Sequence, residues 1–467
     1  MKNYYLEYIN LQKKGINKLE INKVLNDNIL KVWAKFIIAS VVGVVLNTIY
    51  TLVDGIFIGQ GVGEVGLAGV NIAWPAVTLV VGIGLMIGIG TSSIMAIYMG
   101  RGKNEKAEKA LGTSITLIVV VGIVITILGL LFRRPIIKLL GATSDTLQSA
   151  LNYYTIIFII AVPYMFATAL NPIVRTDGRP DLSMIMIGVG AIANIVLDWL
   201  FVMKLGFGVK GAAFATSASI VISMSVSLYH FIKGKATIKI KKKNLNLEMK
   251  IVKRILKIGF VSFAIQMSYG IILLTQNRTM FAYGSTVDVA IYTVATYINC
   301  FLVNTCMGIA QGLQPLIGYH YGANKYKRMK KFVYITIGIC ILGGILVYTA
   351  ILIYGRQIIG IFGISAEHIE SAYKMIRIYC MGSPIIGTIF TISGYYQAIG
   401  KNGYANIISI GRGFVFQFIF TIMLPPFIGT RGVFLSLPLA ELITIVIMIG
   451  IIVVDKRKNN LEIIENC

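Results

Sequence analysis

Long apolar segments separated by short polar loops make up most of the chain. Runs of about 20 apolar residues are long enough to cross the hydrocarbon core of a membrane as an α-helix. The second and eighth runs are longer than one crossing needs, and their glycine-rich stretches predict tilted or bent helices. Twelve such runs can be drawn, at 36–58, 66–99, 111–132, 151–174, 182–203, 209–232, 258–281, 289–318, 332–354, 373–396, 404–427 and 433–454.

Two polar motifs recur 222 residues apart, so the twelve segments divide into two halves. AIYMGRGKNEK at 96–106 returns as GYHYGANKYKR at 318–328, and RTDGRPD at 175–181 returns as QAIGKNG at 397–403. A single offset for two distant pairs indicates a duplicated unit. Each half has an even number of crossings, so the halves run in the same direction. We predict an all-α integral membrane fold in which twelve transmembrane helices form two parallel-repeat six-helix lobes around a central cavity.

The halves and the polar stretches beside them predict five regions. The N-terminal segment has no apolar core and no cleavage signature, so we do not interpret it as a signal peptide. We expect Asn26, Asp27 or Asn28 to cap the first span. The regions are a cytoplasmic polar segment at 1–30, an N-lobe at 31–232, a basic cytoplasmic linker at 233–257, a C-lobe at 258–455 and a cytoplasmic tail at 456–467.

Composition and charge fit a membrane protein and argue against a nucleic-acid partner. Hydrophobic residues make up 56% of the chain, charged residues 13%, and the net charge is +24. Lys and Arg cluster at the ends of alternate spans, which assigns those ends and both termini to the cytoplasm. The excess of positive charge then faces the anionic inner leaflet of the plasma membrane. We expect membrane lipid and small molecules as partners, and a monomeric protein.

Motifs for enzymatic chemistry are missing from the sequence. It has no P-loop, its five cysteines show no CxxC spacing, and its three histidines are scattered. We therefore expect neither an enzyme nor a cofactor, and no metal apart from a coupling Na⁺.

Acidic residues inside the spans of the N-terminal half carry the functional argument. Asp54 lies in the first span and Asp198 in the fifth, with Asn194 one turn before Asp198. A charged residue at mid-bilayer costs about 2.5–3.5 kcal/mol, so it usually faces an internal cavity and serves a function. Together with Thr216 of the sixth span, these residues predict a site that binds a proton or a small hard cation through oxygen atoms. The alternative is that each acid lies at a helix end among the lipid headgroups.

The C-terminal half offers neutral amides, an aromatic ring and a thioether where the N-terminal half has acids. Such side chains form walls that bind flat amphipathic cations. The same pattern is also typical of ordinary helix packing held by amides. The candidate substrate-binding residues are Gln276, Asn277, Gln311, Gln314, Tyr297 and Met307, with Glu441 considered below.

Two charged residues in the last two spans are predicted to pair. Arg412 lies about 12 Å above the inner end of the eleventh span and Glu441 about 20 Å above that of the twelfth, at 1.5 Å per residue. Consecutive antiparallel helices pack side by side, and two long side chains can bridge the difference. We therefore predict a structural ion pair, because either charge alone is expensive in a membrane. The alternative is that Glu441 meets a cationic drug while Arg412 extends towards the inner surface.

Six longer motifs are distributed along both halves of the chain. They are LVDGIFIGQ (52–60), GRGKNEKAEKALG (100–112), RTDGRPDLSMIM (175–186), ANIVLDWLF (193–201), GVKGAAFAT (208–216) and QGLQPLIGYHYGANKYKRMKK (311–331). In these motifs the chain resembles the multidrug and toxic compound extrusion (MATE) family, over roughly residues 30–455. The last motif is similar to the bacterial drug-efflux branch that lacks acidic coupling residues in the C-terminal half.

The resemblance implies roles for individual residues. Asp54, Asn194, Asp198 and Thr216 match the positions that line the ion site of the family, and Asn171 in the fourth span is a weaker candidate. The implied activity is export of amphipathic, mostly cationic drugs by H⁺- or Na⁺-coupled antiport with alternating access.

One position departs from the family pattern. Ala39 stands fifteen residues before Asp54, where the family usually has a proline. A bend of the first helix at that proline is one explanation of alternating access. In this chain such a bend would have to arise elsewhere, for example at Gly43 or Gly55, or not occur.

Two other transporter classes stay open at this stage. A lipid-linked precursor flippase of related fold would need a cationic central cavity, and only Arg412 and Arg278 lie within the predicted spans. A major-facilitator transporter also has two parallel six-helix halves. Its loop between helices two and three carries an acidic and basic pair, whereas this chain has GRGKNEK.

Overall fold

The computed structural model describes residues 22–234, 236–362 and 364–465, and they are almost entirely helical. No β-strand occurs among them. The predicted all-α fold class is therefore confirmed. Asn28 caps the first long helix, since its side-chain oxygen accepts from the backbone N–H of Leu30 at 2.9 Å. Most of the predicted N-terminal segment, residues 1–21, and the last two residues of the predicted tail lie outside the described residues.

From Ile29 onwards the first half contains eight helices, and a π-helical turn at Trp199–Lys204 extends the seventh. Glycine is frequent where they pack: a Cβ on Gly88 would collide with the backbone of Ala169, so the second and sixth helices approach closely. The helices are α1 Ile29–Val62, α2 Glu64–Gly100, α3 Asn104–Leu131, α4 Arg133–Leu139, α5 Ser144–Ile159, α6 Ala161–Thr176, α7 Pro180–Asp198 and α8 Gly208–Ile232.

The second half repeats this order with more interruptions. A 3₁₀ turn at Cys380–Gly382 separates α12 from α13, and a π-helical turn at Gly411–Phe416 joins α14 to α15. The helices are α9 Met249–Tyr283, α10 Thr286–Gly322, α11 Tyr326–Ile361, α12 Ile369–Tyr379, α13 Ser383–Ala398, α14 Asn402–Ile410, α15 Gln417–Met423, α16 Pro425–Ile428 and α17 Thr430–Glu465.

The number of membrane crossings agrees with the sequence, with one change. Eleven segments in the described part of the chain are long and apolar enough to cross a membrane. The predicted fourth span, 151–174, is not one continuous helix: α5 and α6 meet at an angle of 63°. The break falls at Ile160, and Pro163 explains it, because proline has no N–H to donate to the carbonyl of Ile159. Counted as one crossing, this bent pair completes the twelve.

The duplicated motifs form the same turn in both halves. After α2, the N–H of Lys103 bonds the carbonyl of Tyr98; after α10, the N–H of Lys325 bonds that of His320. These are the closing bonds of Schellman motifs, which need a left-handed residue. Gly102 supplies it after α2 (φ 71°), and Asn324, the same repeat position, supplies it after α10 (φ 57°). The duplication inferred from the sequence is thus also present in the backbone geometry.

Packing divides the chain into two compact units. One contains the described residues up to Phe263 together with Gln311–Phe332, and the other contains Ala264–Ala310 and the residues from Val333 onwards. The last third of α10 therefore packs with the first half of the sequence. In the second unit, Tyr292 meets Tyr379 and Phe434 edge to face, with ring centroids 5.8 and 5.7 Å apart. The predicted lobe boundaries and central cavity stay predictions.

The predicted linker is docked on the first unit through a buried carboxylate. Asp177, in the turn between α6 and α7, accepts hydrogen bonds from the backbone N–H groups of Thr237 (2.9 Å) and Ile238 (2.8 Å). The Nε2 atom of His230 lies 2.9 Å from the same carboxylate. Burial raises the pKa of Asp177, although its three partners act in the opposite direction. The start of the linker is therefore held by the first half of the chain.

The first helix continues unbroken past Ala39, the position where the family usually has proline. We expect Ala39→Pro to be tolerated, because neighbouring helices and water satisfy a freed backbone carbonyl in membrane helices. The measurement is the yield and melting temperature of purified protein. Ala39→Val is the control, since it adds bulk but keeps the N–H. A severe loss of folded protein in the proline variant alone would show that this helix depends on an uninterrupted backbone.

Candidate functional site

The acidic residues predicted in the first half come together on three helices. Asp54 lies on α1, Asn194 and Asp198 on α7, and Thr216 on α8; these helices pack against one another. Asn194 and Asp198 are fully buried and Thr216 nearly so. Asp198 is the last residue of α7 before the π-helical turn, a distortion that is frequent at functional sites. We call these four residues the acidic cluster.

Five buried polar atoms of the acidic cluster have no hydrogen-bond partner. They are one oxygen of Asp54, both oxygens of Asp198, and both the oxygen and the nitrogen of the Asn194 amide. The carboxyl groups of Asp54 and Asp198 are nevertheless close enough to interact directly. Two neighbouring carboxylates repel each other when both are charged, so a proton or a cation between them is favoured. The cluster is therefore arranged to hold a proton or a cation.

Three tyrosines interact with the acidic cluster and are not among the site residues predicted from the sequence. Tyr50 lies one turn before Asp54, and Tyr153 and Tyr164 come from the two arms of the broken α5–α6 segment; all three interact electrostatically with Asp54. Tyr153 also interacts with the side chain of Thr216. The spacing of Tyr50 and Asp54 was visible in the sequence. Tyr153 and Tyr164 lie on either side of the bend at Ile160, and their proximity to Asp54 could not be predicted from sequence spacing.

The groups present fit a small hard cation as well as a proton. Carboxylate, amide and hydroxyl oxygens are the ligands that hard cations prefer. Leaving a buried polar group without a partner costs about 1–3 kcal/mol, so an ion that satisfies several of them gains binding energy there. Groups of three or more His, Cys, Asp or Glu with metal-binding geometry do not occur among the described residues. The cluster has two acids, and its remaining oxygens are neutral.

Asn171 is engaged away from the acidic cluster. Its amide oxygen accepts from Nη2 of Arg175 at 2.9 Å, and its amide nitrogen donates to the carbonyl of Ser183 at 3.0 Å. Arg175 follows the predicted fourth span, 151–174, but it lies in the last turn of α6 and is 2% exposed. It also donates to Gln311 at 3.5 Å. The predicted span boundary therefore missed a buried arginine.

The predicted substrate-binding residues of the C-terminal half fall into both units. Gln311 and Gln314 belong to the first unit, where Gln314 donates to Ser93 at 2.8 Å. The second unit contains Gln276, Asn277, Tyr297 and Met307. Of these, Tyr297 is 53% exposed and stacks on Phe362, whereas Asn277 and Met307 are partly buried.

Gln276 occupies the position that corresponds to Asp54 in the repeat, 222 residues later. Its amide oxygen accepts from the hydroxyl of Tyr292, and its nitrogen donates to Ser436 at 3.4 Å. The C-terminal half thus has a neutral, fully hydrogen-bonded amide where the N-terminal half has an acid. The two halves share a fold but not the chemistry of this position.

Arg412 and Glu441 meet in the second unit. Nη2 of Arg412 lies 2.9 Å from Oε1 of Glu441, and both side chains are buried. The guanidinium also lies over the ring of Phe390, 5.0 Å from its centroid. A Cβ on Gly382 would collide with the carboxylate of Glu441, so a larger residue there would displace that carboxylate. The geometry matches the predicted pair and leaves Glu441 1% exposed.

Comparison with known proteins gives a consistent result. Residues 39–200 and 260–423 match the family model described as MatE. The chain is 26% identical over 416 residues to "Multidrug export protein MepA" of Staphylococcus aureus (strain MSSA476), covering 88% of this chain and 91% of that protein. A protein of the same name from Staphylococcus saprophyticus is 25% identical, with 89% and 92% covered.

Solved structures show the same fold. A "Crystal structure of MATE in the bent conformation" superposes with a TM-score of 0.87 at 24% identity, covering 94% of this chain and 98% of that one. An "Outward-facing conformation of a multidrug resistance MATE family transporter of the MOP superfamily" superposes with a TM-score of 0.85 at 25% identity, covering 91% and 95%.

Proposed function

Because the chain belongs to the MatE family, we propose that it is a plasma-membrane efflux transporter that exports amphipathic, mostly cationic small molecules in exchange for H⁺ or Na⁺. The observation that carries the coupling is the acidic cluster, whose buried carboxyl and amide atoms lack partners within the protein. The names of the relatives support multidrug export as the activity. Transport by a monomer through alternating access is part of the proposal.

The orientation rests on the distribution of basic residues. Lys and Arg are concentrated on the N-terminal side of α1, in the loops after α2 and α10, and in the linker. The positive-inside rule places these segments in the cytoplasm, together with both termini. Ions then enter from outside, down their gradient, as substrate leaves.

The driving force is adequate for one coupled ion. A proton that enters through about 150 mV releases roughly 3.5 kcal/mol, at about 2.3 kcal/mol per 100 mV. At about 1.4 kcal/mol per tenfold, this supports a gradient of a few hundredfold for a neutral solute. Sodium at the same oxygens would supply a comparable amount from the membrane potential alone.

The buried arginines do not favour the flippase alternative. Recognition of a pyrophosphate would need cationic groups that are available to a ligand. Arg412 is paired with Glu441, and Arg175 is fully buried and engaged by Asn171 and Gln311. The major-facilitator alternative is excluded by the family match.

Ethidium transport into everted membrane vesicles tests the proposal and identifies the coupling ion. A proton gradient and a sodium gradient are imposed separately, and uptake is compared with that of vesicles lacking the protein. We expect one of the two gradients to drive uptake and its dissipation to stop it. Uptake that is equal with and without either gradient would contradict antiport, and an absence of uptake under both would contradict drug export.

A further inference from the structure

The C-terminal ends of α2 and α10 cross in a two-fold symmetric contact within the first unit. A Cβ on Gly100 would collide with the carbonyl oxygen of Tyr319, and a Cβ on Gly322 would collide with that of Ile97. Both pairs obey the repeat, since 100 corresponds to 322 and 97 to 319. Each helix therefore presents the same glycine to the same turn of the other, and the backbones touch directly. We call this contact the glycine crossing.

A second pair of equivalent glycines extends the contact deeper along the helices. A Cβ on Gly90 of α2 would collide with the backbone of Ile255 on α9, and a Cβ on Gly312 of α10 would collide with the backbone of Ile37 on α1. In each case a helix of one half packs against the first helix of the other half. Close backbone contacts of this kind are typical of helix interfaces inside membranes.

Polar side chains connect the two halves at the same level. Gln314 on α10 donates to Ser93 on α2 at 2.8 Å, and both are buried. The hydroxyl of Tyr319 donates to the backbone carbonyl of Thr176 at the end of α6. Arg175, without a carboxylate partner, donates to Gln311. Three turns of α10 are thus hydrogen-bonded to the first half of the chain.

The residues that follow α2 and α10, in the turn or the first turns of the next helix, contact the segment that leads into the first helix of the opposite half. We call these two contacts the grips. After α10, Lys325 donates to the Asn26 side chain at 2.6 Å, and Arg328 donates to the carbonyl of Asp27, just before α1. After α2, Glu108 forms an ion pair at 2.6 Å with Lys241 of the linker that leads into α9. Each half thus contacts the segment before the first helix of the other half, in the same way as each half contributes a glycine to the crossing.

We propose that the glycine crossing and its two grips form the cytoplasmic gate of the transporter, and that the gate is closed in this structure. The proposal rests on the orientation and function proposed above. Alternating access requires the halves to separate on the cytoplasmic side to take up substrate. Among the described contacts, these join the two halves at the ends that face the cytoplasm. Gln311 and Gln314, considered as substrate contacts on the sequence, then act as gate residues.

Cross-linking Ser93→Cys to Gln314→Cys tests whether the crossing must open. The native cysteines are replaced by alanine, and a short bifunctional methanethiosulfonate is applied to everted vesicles. We expect the cross-link to form and to lower ethidium uptake to the level of vesicles without the protein. Uptake should return when a thiol reagent reduces the disulfides that hold the cross-linker. Normal uptake by fully cross-linked protein would overturn the proposal, as would failure of the two thiols to cross-link.

The control pair joins α2, at the residue next to the test position Ser93, to the end of α6. Ser92 and Thr176 are both in the first half, and their hydroxyl oxygens are 2.5 Å apart. Cross-linking Ser92→Cys to Thr176→Cys uses the same reagent one residue away on α2. It does not join the two halves of the chain. We expect uptake to continue in this variant. Loss of uptake in both cross-linked variants would count against the gate, because it would show that joining the halves is not what stops transport.

A readout that needs no substrate separates failure of the gate from failure of the proposed function. The thiol of Gln314→Cys is labelled from the cytoplasmic side with a membrane-impermeant maleimide. Gly100→Val and Gly322→Val are expected to raise the labelling rate, because the crossing cannot close. Gly338→Val, at a glycine with open space around it, should leave the rate unchanged. Unchanged rates in the first two variants overturn the gate, whereas missing uptake by the uncross-linked protein overturns drug export alone.

Discussion

Ion-driven export is expected to disappear in Asp54→Asn and in Asp198→Asn. Asparagine keeps the size and packing of the side chain but cannot exchange a proton or supply a full negative charge to Na⁺. Ethidium is a monovalent cation, so its one-for-one exchange with a proton is electroneutral, and each unit of imposed pH gradient supports about a tenfold ethidium gradient. This gradient should fall to near unity in either variant. The gradient is measured in everted vesicles at matched protein levels, with melting temperatures to establish that both variants are folded.

The repeat supplies a matched control for the first acid. Gln276 occupies the corresponding position in the C-terminal half and is hydrogen-bonded to Tyr292 and Ser436. Gln276→Asn shortens a polar side chain there without removing an ionisable group, so coupling should persist. If both aspartate variants transported at rates close to the unmodified protein under the same gradient, the acidic cluster would not be the coupling site.

Removing either partner of the Arg412–Glu441 pair is expected to destabilise the protein strongly. Each single variant, Arg412→Gln or Glu441→Gln, leaves one buried charge without compensation, which costs about 3–5 kcal/mol. The double variant removes both charges together and should lose much less than the sum of the single losses. We expect a coupling free energy of about 2–3 kcal/mol from the double-mutant cycle, measured by unfolding in detergent.

An exposed pair in the same unit provides the comparison. Arg356 and Glu370 lie 2.9 Å apart, the same distance as the buried pair, but both are about half exposed. The same substitutions there should be nearly additive, because solvent screens the interaction. Additive losses at Arg412 and Glu441, with drug binding lost only in Glu441→Gln, would instead assign Glu441 to substrate.

Much of this architecture could be predicted because membrane helices are encoded locally. The apolar runs predicted the spans, and the family resemblance is confirmed by the match to MatE. Helical spacing placed Asn194 and Asp198 on one face, and the structure brings that face to Asp54. The depth estimate placed Arg412 and Glu441 within reach of each other, and their side chains lie 2.9 Å apart.

What sequence reasoning missed depends on contacts between distant segments. Tyr153 and Tyr164 interact with the acidic cluster from the two sides of the bend at Ile160. Predicting that bend would have required Pro163 to be interpreted as a break within an otherwise continuous apolar run. Gln311 and Gln314 pack in the first unit because glycines let α10 approach α1 and α2 closely. Periodicity shows which face of a helix is polar, but not which neighbour that face meets.

The docked linker has a consequence for how the molecule can be divided into separate polypeptides. Asp177 bonds the backbone at Thr237 and Ile238, Glu108 holds Lys241, and a Cβ on Gly112 would collide with Asn244. If the chain were divided at 233, directly after α8, the buried carboxylate of Asp177 would lie on a different fragment from its backbone donors. A cut at 245–248 would keep all these contacts inside the N-terminal fragment. Two co-expressed fragments therefore have one favourable boundary, at the far end of the linker.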